Sequence, residues 1–574
     1  MAKNRKKAAK NRPLPVKEAP PKDTKLIVGW LHKFFSTPWA VFGVLISGIV
    51  LFRLFLFYGA IDDPYMQFRV GDEAYYHEWA LRILNGKWAH GASFFTTPLY
   101  AYFLAFVYYV GGQSLTYVRL LNVILGIGTI FLTYLTARKY MDYSSSLIAT
   151  FLLGFCTAPI FYEWFPEKTS LVMFLTAASF YMLSWAATGR KSWTWLAAGW
   201  VVGLGCLAHA LLLLTVPAAW IHIFRCREKT RFSASVTVAI FITGIVLGVL
   251  PATIHNYLQD GDFVLICSNA GQNFYTGNHS GNVTGDYVSP NFAAASIKSE
   301  EEDFKREAEK REQRIMKPSE VSSFWLRQGL DEIKQEPGLA LTRFWHRLRW
   351  AVGADAEEPS DTRTYAFYLA RYRILNLPFP GFGFMSSLGL TGLLLTLRDR
   401  NYSVLNFFMI FFILGMVLFI VYGRYRLPLL IPVSILAAVT LSKGYDLLRQ
   451  KRTKALLGFS IIPVAIFIFL HIKVLPGLEE SFFPDYYNQG NHYLKIGQKD
   501  LAVVEYEKAL TVRAGDHPGA EKLYGELIDH YLLDRRYDRA EEFLNRAVAL
   551  YPDNQSFRDR MRKLQTLRHE SPSK

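Results

Sequence analysis

Asp72 and Glu73 stand side by side in Gly71-Asp72-Glu73-Ala74-Tyr75-Tyr76-His77, just beyond the first segment long and apolar enough to cross a bilayer. Carboxyl groups held against a membrane surface among aromatic rings are poised for proton transfer, because desolvation disfavours their charge. The pair is the candidate catalytic centre, with Asp72 as base, Glu73 as its support, and Tyr75 and His77 as candidate substrate contacts. Acids at a helix start are also common for purely structural reasons. Glu163 and Glu167, in Glu163-Trp164-Phe165-Pro166-Glu167-Lys168, are candidates for orienting a sugar or an acceptor, while Lys168 is expected to pair with Glu167.

A second kind of chemistry sits in Gly423-Arg424-Tyr425-Arg426-Leu427-Pro428. Two arginines in such a turn make a fork suited to a phosphate or pyrophosphate, with Tyr425 between them. Arginines snorkelling to lipid headgroups are the alternative. His209 is a further phosphate contact or a histidine bonded between helices. Asn273, Tyr275 and Asn278 lie in SNAGQNFYTGNHSGNVTGDY, whose amides suit sugar hydroxyls, although turn chemistry alone accounts for the composition.

These residues must be positioned by apolar elements. Spanning runs recur at Trp39 to Tyr58, Val118 to Ala137, Ser170 to Trp185, Ser235 to Thr253, Phe382 to Leu397, Tyr402 to Tyr422 and Leu456 to Ile472. In a chain of 574 residues that is 51% hydrophobic and 15% aromatic, this defines an all-α polytopic membrane protein. The net charge of +16 is concentrated in the tail Met1 to Lys25 and in short loops, so it reads as topology rather than as a nucleic-acid footprint. Residues 1–37 are expected to be a disordered basic cytoplasmic tail, and 38–475 the membrane domain. Four cysteines without a CxxC pair imply neither a zinc cage nor a disulfide framework.

Placing Arg138-Lys139, Arg190-Lys191, Arg225 to Arg231, Arg398 to Arg400 and Lys443 to Lys454 inside fixes the parity of the crossings. About eleven crossings result, with two short helices turning near His209. Outer loop 1 is then 60–117, and its Tyr-rich segment TTPLYAYFLAFVYYVGG lies in the interface. The long outer loop is 255–380, in which the charged run from Lys298 to Lys317 reads as a solvated helical face and RFWHRLRWAVG as an interfacial helix. Asp72, Glu163, Glu167 and the C-terminus are expected outside, with Asp72 facing the acceptor side.

Residues 484–566 repeat. Gly490, Gly497, Ala502, Tyr506 and Ala509 follow the spacing of a tetratricopeptide helix pair, and Tyr537, Ala540, Leu544, Ala547 and Pro552 follow it again. Small residues at these places let helices pack closely, giving a small α-solenoid that docks on the membrane domain or on a protein partner.

Several stretches, in order, resemble the bacterial branch of the protein O-mannosyltransferase superfamily, lipid-linked-sugar glycosyltransferases of GT-C fold. GDEAYYHEWALRILNGKW is similar to the family's first outer loop, TTPLYAYFLAFVYYVGG to its juxtamembrane helix, VRLLNVILGIGTIFLTYLTARKY to its second transmembrane helix, and GRYRLPLLIPVSILAA to a late outer turn and helix. NAGQNFYTGNHSG is similar to a loop of members that carry tetratricopeptide tails. Leu207-Ala208-His209-Ala210 departs from relatives that place Arg or Lys beside Pro there.

The resemblance implies inverting transfer of a sugar from a polyprenyl-phosphate donor to a glycan, lipid or protein acceptor at the outer face of a bacterial inner membrane. In that scheme Arg424 and Arg426 stabilise the departing phosphate. It requires no cofactor, and Asp72, Glu73, His77 and His90 form no ligand motif, although a divalent metal is compatible with it. A non-catalytic scaffold or a lipid-linked glycan transporter with an interaction tail is the alternative; only the latter should show repeat symmetry between halves.

Overall fold

The computed structural model describes residues 38–188, 191–229, 232–293, 297–354, 363–376, 380–473, 482–511 and 519–570. The expected disordered tail, 1–37, lies outside them. Every regular element among the described residues is helical. The chain divides into two units, residues 1–52 and 53–574, so that α1 (Pro38–Ala60) contributes only its last turns to the larger one.

Among the described residues, seven helices are long and apolar enough to cross a membrane: α1, α4 (Leu115–Ala137), α7 (Thr169–Thr188), α10 (Ala234–Asp260), α17 (Ser403–Leu418) and α18 (Leu430–Arg449), each with the turn before it, and α19 (Thr453–His471). There are eight if α5 (Tyr143–Gly154) and α6 (Thr157–Glu163), bent by 51° at Phe155-Cys156, form one broken span. Shorter apolar helices are α3 (Leu99–Gly111), α8 (Ser192–Ala208), a helical stretch from Ala210 to Arg225 containing α9 (Thr215–Arg225), and α16 (Phe382–Thr396). The break at His209 falls where the sequence places a turn. α19 exposes Leu457, Ile461, Val464 and Ile468, a surface that only lipid can cover at low free energy.

In lipid, apolar side chains gain little by leaving one greasy surface for another, so close backbone approach holds helices together. α8 and α10 show the device. Gly199 and Gly203 on one helix face Gly244 and Gly248 on the other, and a Cβ on Gly199 would stand 2.0 Å from the Phe241 carbonyl oxygen, one on Gly244 2.1 Å from that of Leu196.

Outside these helices, outer loop 1 carries α2 (Asp72–Leu84), which packs on α3. The long outer loop folds into α11 (Ala270–Asn278), α12 (Ile297–Glu312), α13 (Pro318–Gln335), α14 (Pro337–Val352) and α15 (Tyr365–Arg371). Tyr275, Phe292, Phe304, Val321, Phe324 and Trp325 form its own apolar core. The Lys298 to Lys317 run is helical as far as Glu312, and one of its acids, Glu300, is buried. The helix read as interfacial instead buries two arginines. Arg343 donates to the carbonyls of Asn278 and Asn282, both at 2.6 Å, and Arg347 to those of Gly277, Gly285 and Val417. A guanidinium with five donors can satisfy several carbonyls of irregular backbone at once.

The C-terminal residues form α20 (Phe483–Lys495), α21 (Lys499–Thr511), α22 (Ala520–Leu533), α23 (Tyr537–Leu550) and α24 (Gln555–Glu570). Ala502, Ala509, Ala540 and Ala547 are buried in their shared core. α20 and α21 meet outer loop 1 and α15: Tyr65 donates to Glu505 at 2.5 Å, His492 stacks on Phe68, and Tyr486 packs edge-on against Phe367. Asp485 lies at this contact, accepting from the Thr364 amide at 3.4 Å while its second oxygen has no partner.

Two outcomes follow from this packing. Gly244→Val should destabilise the membrane domain by about 1–3 kcal/mol through overpacking, read as a lower unfolding temperature in detergent; a variant melting with the wild type would refute the close approach. Burial pushes the Asp485 carboxyl up to about 7, so the folded state binds its proton more tightly than the unfolded chain does. Its contribution is therefore complete below the ordinary carboxylate range and lost as pH rises through 7. The unfolding temperature should drop between pH 6 and 8 in wild type and drop less in Asp485→Asn; parallel pH slopes would count against the assignment.

Candidate functional site

Asp72 is the first residue of α2, where the unpaired amides of a helix N-terminus favour a negative charge. Gly71 before it has φ +49°, a left-handed conformation that a side chain would strain. Asp72 Oδ2 accepts from Arg424 Nη2 at 2.9 Å, and Glu167 Oε2 accepts from Arg424 Nη1 at 3.3 Å. One guanidinium thus bridges two carboxylates from different loops. Its faces lie against Tyr422 and Tyr425, with 5.3 Å and 5.6 Å to the ring centroids. Arg424 is only 6% exposed, while Asp72 retains more access to solvent.

Beside this bridge is a narrow cleft lined by Lys168, Thr169, Val172, His209, Arg424, Tyr425 and Pro428. The His209 ring meets Tyr425 edge-on at 4.6 Å, and its Nδ1 accepts from the Leu211 amide, which fixes the ring where α8 ends. Lys168 Nζ donates to Thr97 Oγ1 at 3.3 Å and to the Tyr76 hydroxyl at 3.5 Å. Two cations and a histidine on an otherwise apolar floor form a pocket for an anion with a greasy tail. Among the described residues, no group of three or more His, Cys, Asp or Glu side chains is arranged to hold a metal ion.

The structure thus brings together Asp72, Glu167, His209, Arg424 and Tyr425. The other expected residues are committed elsewhere. Glu73 is buried in an ion pair with Arg363, at 2.7 Å and 3.1 Å to its two oxygens. Arg363 is in turn held between the Phe68 and Phe165 rings and donates to the Tyr65 and Phe68 carbonyls, so Glu73 ties outer loop 1 to the segment before α15. Arg426 points away from the cleft, donating to the Trp350 and Gly353 carbonyls and lying over Phe382. The two-arginine fork is therefore split, because consecutive residues of a tight helical turn face different neighbours.

Glu163 pairs with Arg53 in a second cavity, lined also by Gly126 and Thr129, rather than joining Glu167. Tyr75 stacks edge-on with Tyr76 and Trp79. His77 bonds the Tyr108 hydroxyl at 2.9 Å, and burial together with the nearby Arg69 holds it neutral, down to about 4. Tyr275 belongs to the outer-loop core, and the Asn278 side chain donates to the Phe274 and Leu418 carbonyls. Asn273 lies on the same helix, α11, in place of the expected sugar-binding turn. Lys168 was assigned in sequence to Glu167; the tertiary contacts turn the two apart. A lysine at the very start of an apolar run, where desolvation is costly, was the available signal.

Residues 96–255, under a third of the chain, match the family model described as dolichyl-phosphate-mannose-protein mannosyltransferase. No curated protein matches the sequence significantly. Among solved structures, the apo oligosaccharyltransferase of Archaeoglobus fulgidus is similar over 85% of this chain and 59% of its own, at 14% identity and a TM-score of 0.42. ArnT from Cupriavidus metallidurans bound to undecaprenyl phosphate is similar over 82% of this chain and 75% of its own, at 13% identity and a TM-score of 0.41. The chain spans little more than half the length of the oligosaccharyltransferase structures.

Because Glu73 is tied into a buried pair, Glu73→Gln should act on stability. It leaves the Arg363 charge uncompensated, at a cost of about 3–5 kcal/mol. Thermal unfolding of the purified variant checks this; an unchanged melting temperature would free Glu73 for a direct role.

Proposed function

We propose that this chain is an integral-membrane glycosyltransferase of GT-C type, moving a sugar from a polyprenyl-phosphate donor to an acceptor at the extracytoplasmic face, with inversion. The observation that carries the reading is the meeting of Asp72, Arg424, Lys168 and His209 around one cleft among apolar helices. The family model over residues 96–255, named for transfer from a phosphate-linked polyprenol sugar, supports the same class.

In this mechanism the acceptor O–H is deprotonated by Asp72 as its oxygen bonds to the anomeric carbon, while the bond from that carbon to the donor phosphate breaks. The electron pair leaves with the polyprenyl phosphate, whose growing charge is met by Arg424 and Lys168. Without donor, Arg424 is occupied by Asp72 and Glu167. Donor phosphate draws the guanidinium toward itself and leaves Asp72 a stronger base, so that binding prepares the reaction. Glu167 keeps Arg424 oriented, and Val172 and Pro428 offer apolar surface to the first isoprenes.

The same reading counts the bent pair α5–α6, α8, the Ala210–Arg225 stretch and α16 as crossings beside the seven long helices. That gives eleven, with the basic loops inside. The C-terminal helices then lie outside, in a bacterial inner membrane, as a tetratricopeptide module whose α20 rests on outer loop 1 and whose remaining surface takes a protein partner.

Purified protein in lipid, supplied with a panel of polyprenyl-phosphate sugars, tests the assignment. Asp72→Asn should lower turnover by at least about a hundredfold while donor binding persists. Lys168→Met should weaken donor binding about tenfold or more. Transfer by Asp72→Asn at the wild-type rate would remove Asp72 as the base.

A further inference from the structure

The charged run on the long outer loop contains an acid that the reaction above does not use. Glu300 lies in the first turn of α12 and is 9% exposed. α12 packs on α2, the helix that begins at Asp72. The other buried acids around the cleft have cations: Asp72 and Glu167 share Arg424, Glu73 has Arg363 and Glu163 has Arg53. None of the described residues forms an ion pair or a hydrogen bond with Glu300.

The groups whose charges bear on it or that feel its charge are Asp72 from α2, Tyr287 from the segment after α11, and Tyr422 from the turn before α18. On its own helix, Glu301 and Glu302 follow it, and Glu301 is turned toward Lys305 and Asp260. α13 meets α12 through Phe304, Ala308, Val321 and Trp325, an apolar contact. Tyr287 and Tyr422 lie ring on ring at 5.8 Å, and Tyr422 also covers Arg424. Glu300 is thus a buried acid at the start of a helix packed on the Asp72 helix, within the electrostatic reach of the Asp72–Arg424 bridge.

We propose that Glu300 is a further substrate-binding residue of this centre, which in its neutral form donates a hydrogen bond to a sugar oxygen held at Asp72. The inference rests on the glycosyl-transfer reading given above. Its physical basis is the division between two carboxyl groups that feel each other's charge but have unequal surroundings. Asp72 is committed to a guanidinium at 2.9 Å and stands at a helix N-terminus. Glu300 has burial and the Asp72 charge, both of which disfavour its anion and push it up to about 7. One carboxyl is thus kept as base and acceptor, the other as a donor, and a sugar rich in hydroxyls needs both. The long loop between α10 and α16 supplies the second.

The sign of the pH effect follows. Glu300 is neutral below about 7, so its donor is present at low pH and lost as pH rises through that value. The test uses the full chain in lipid and the donor panel named above, with kcat/KM followed from pH 6 to 8.5. Wild type should fall about tenfold or more above neutrality. Glu300→Gln, a donor that cannot ionise, should abolish that alkaline limb. Glu300→Ala should lower kcat/KM by about tenfold at pH 6, and Glu301→Gln should keep the wild-type limb. Binding of the polyprenyl phosphate alone, measured for each variant, confirms that the fold is intact. An alkaline limb that persists in Glu300→Gln, or a Glu300→Ala variant with the wild-type profile, overturns the inference while leaving the transferase reading standing. Absence of transfer by wild type with every donor overturns both.

Discussion

One buried guanidinium joins the segments on which the proposed site is built. Arg424 joins Asp72, 352 residues away in sequence, to Glu167, 257 residues away. Such a group is costly to desolvate, and the two carboxylates and two tyrosine faces around it offset that cost only if all are held in place. Three loops that hang from different transmembrane helices are thereby fixed to one another. Under the proposed reaction, a phosphate entering the cleft would compete with both carboxylates for the same donors.

The surrounding structure shows how that fixing is achieved without a hydrophobic driving force inside the bilayer. Glycines on α8 and α10 bring backbones into contact. Charges that must be buried are paired across segments, as in Arg53 with Glu163 and Arg363 with Glu73. On the outer face, where water is available, an aromatic core around Trp325 folds the long loop, and Arg343 and Arg347 pin it through backbone carbonyls. Tyr287 and Glu300 belong to this loop.

The C-terminal helices add a second brace. Tyr65, Phe68 and Phe367 receive Glu505, His492 and Tyr486, close in structure to the Arg363 clamp that holds Glu73. A load on the C-terminal module is therefore felt by outer loop 1, the segment that carries Asp72. Under the proposed reaction, a partner bound to that module would sit one packed layer from the acceptor side of the site.

The amino-acid pattern alone determined the membrane class, the helical composition, the break at His209, the helical character of residues 298–312 and the small-residue spacing of the C-terminal helices. These are consequences of local hydrophobicity and of residue size, which are read along the chain. It also singled out Asp72 and Arg424, because acids and fixed cations at the edge of apolar runs are conspicuous. Which charges meet was decided only by tertiary structure. Glu73 and Arg426 look like partners of Asp72 and Arg424 in sequence, yet neighbouring residues on a helix or tight turn face different sides, and each found a different buried partner. Lys168 and Glu300 carried no pattern beyond an ordinary helix start and an ordinary charged face. Their roles come from burial beside Asp72, a property of distant segments packing together that no local window of sequence contains.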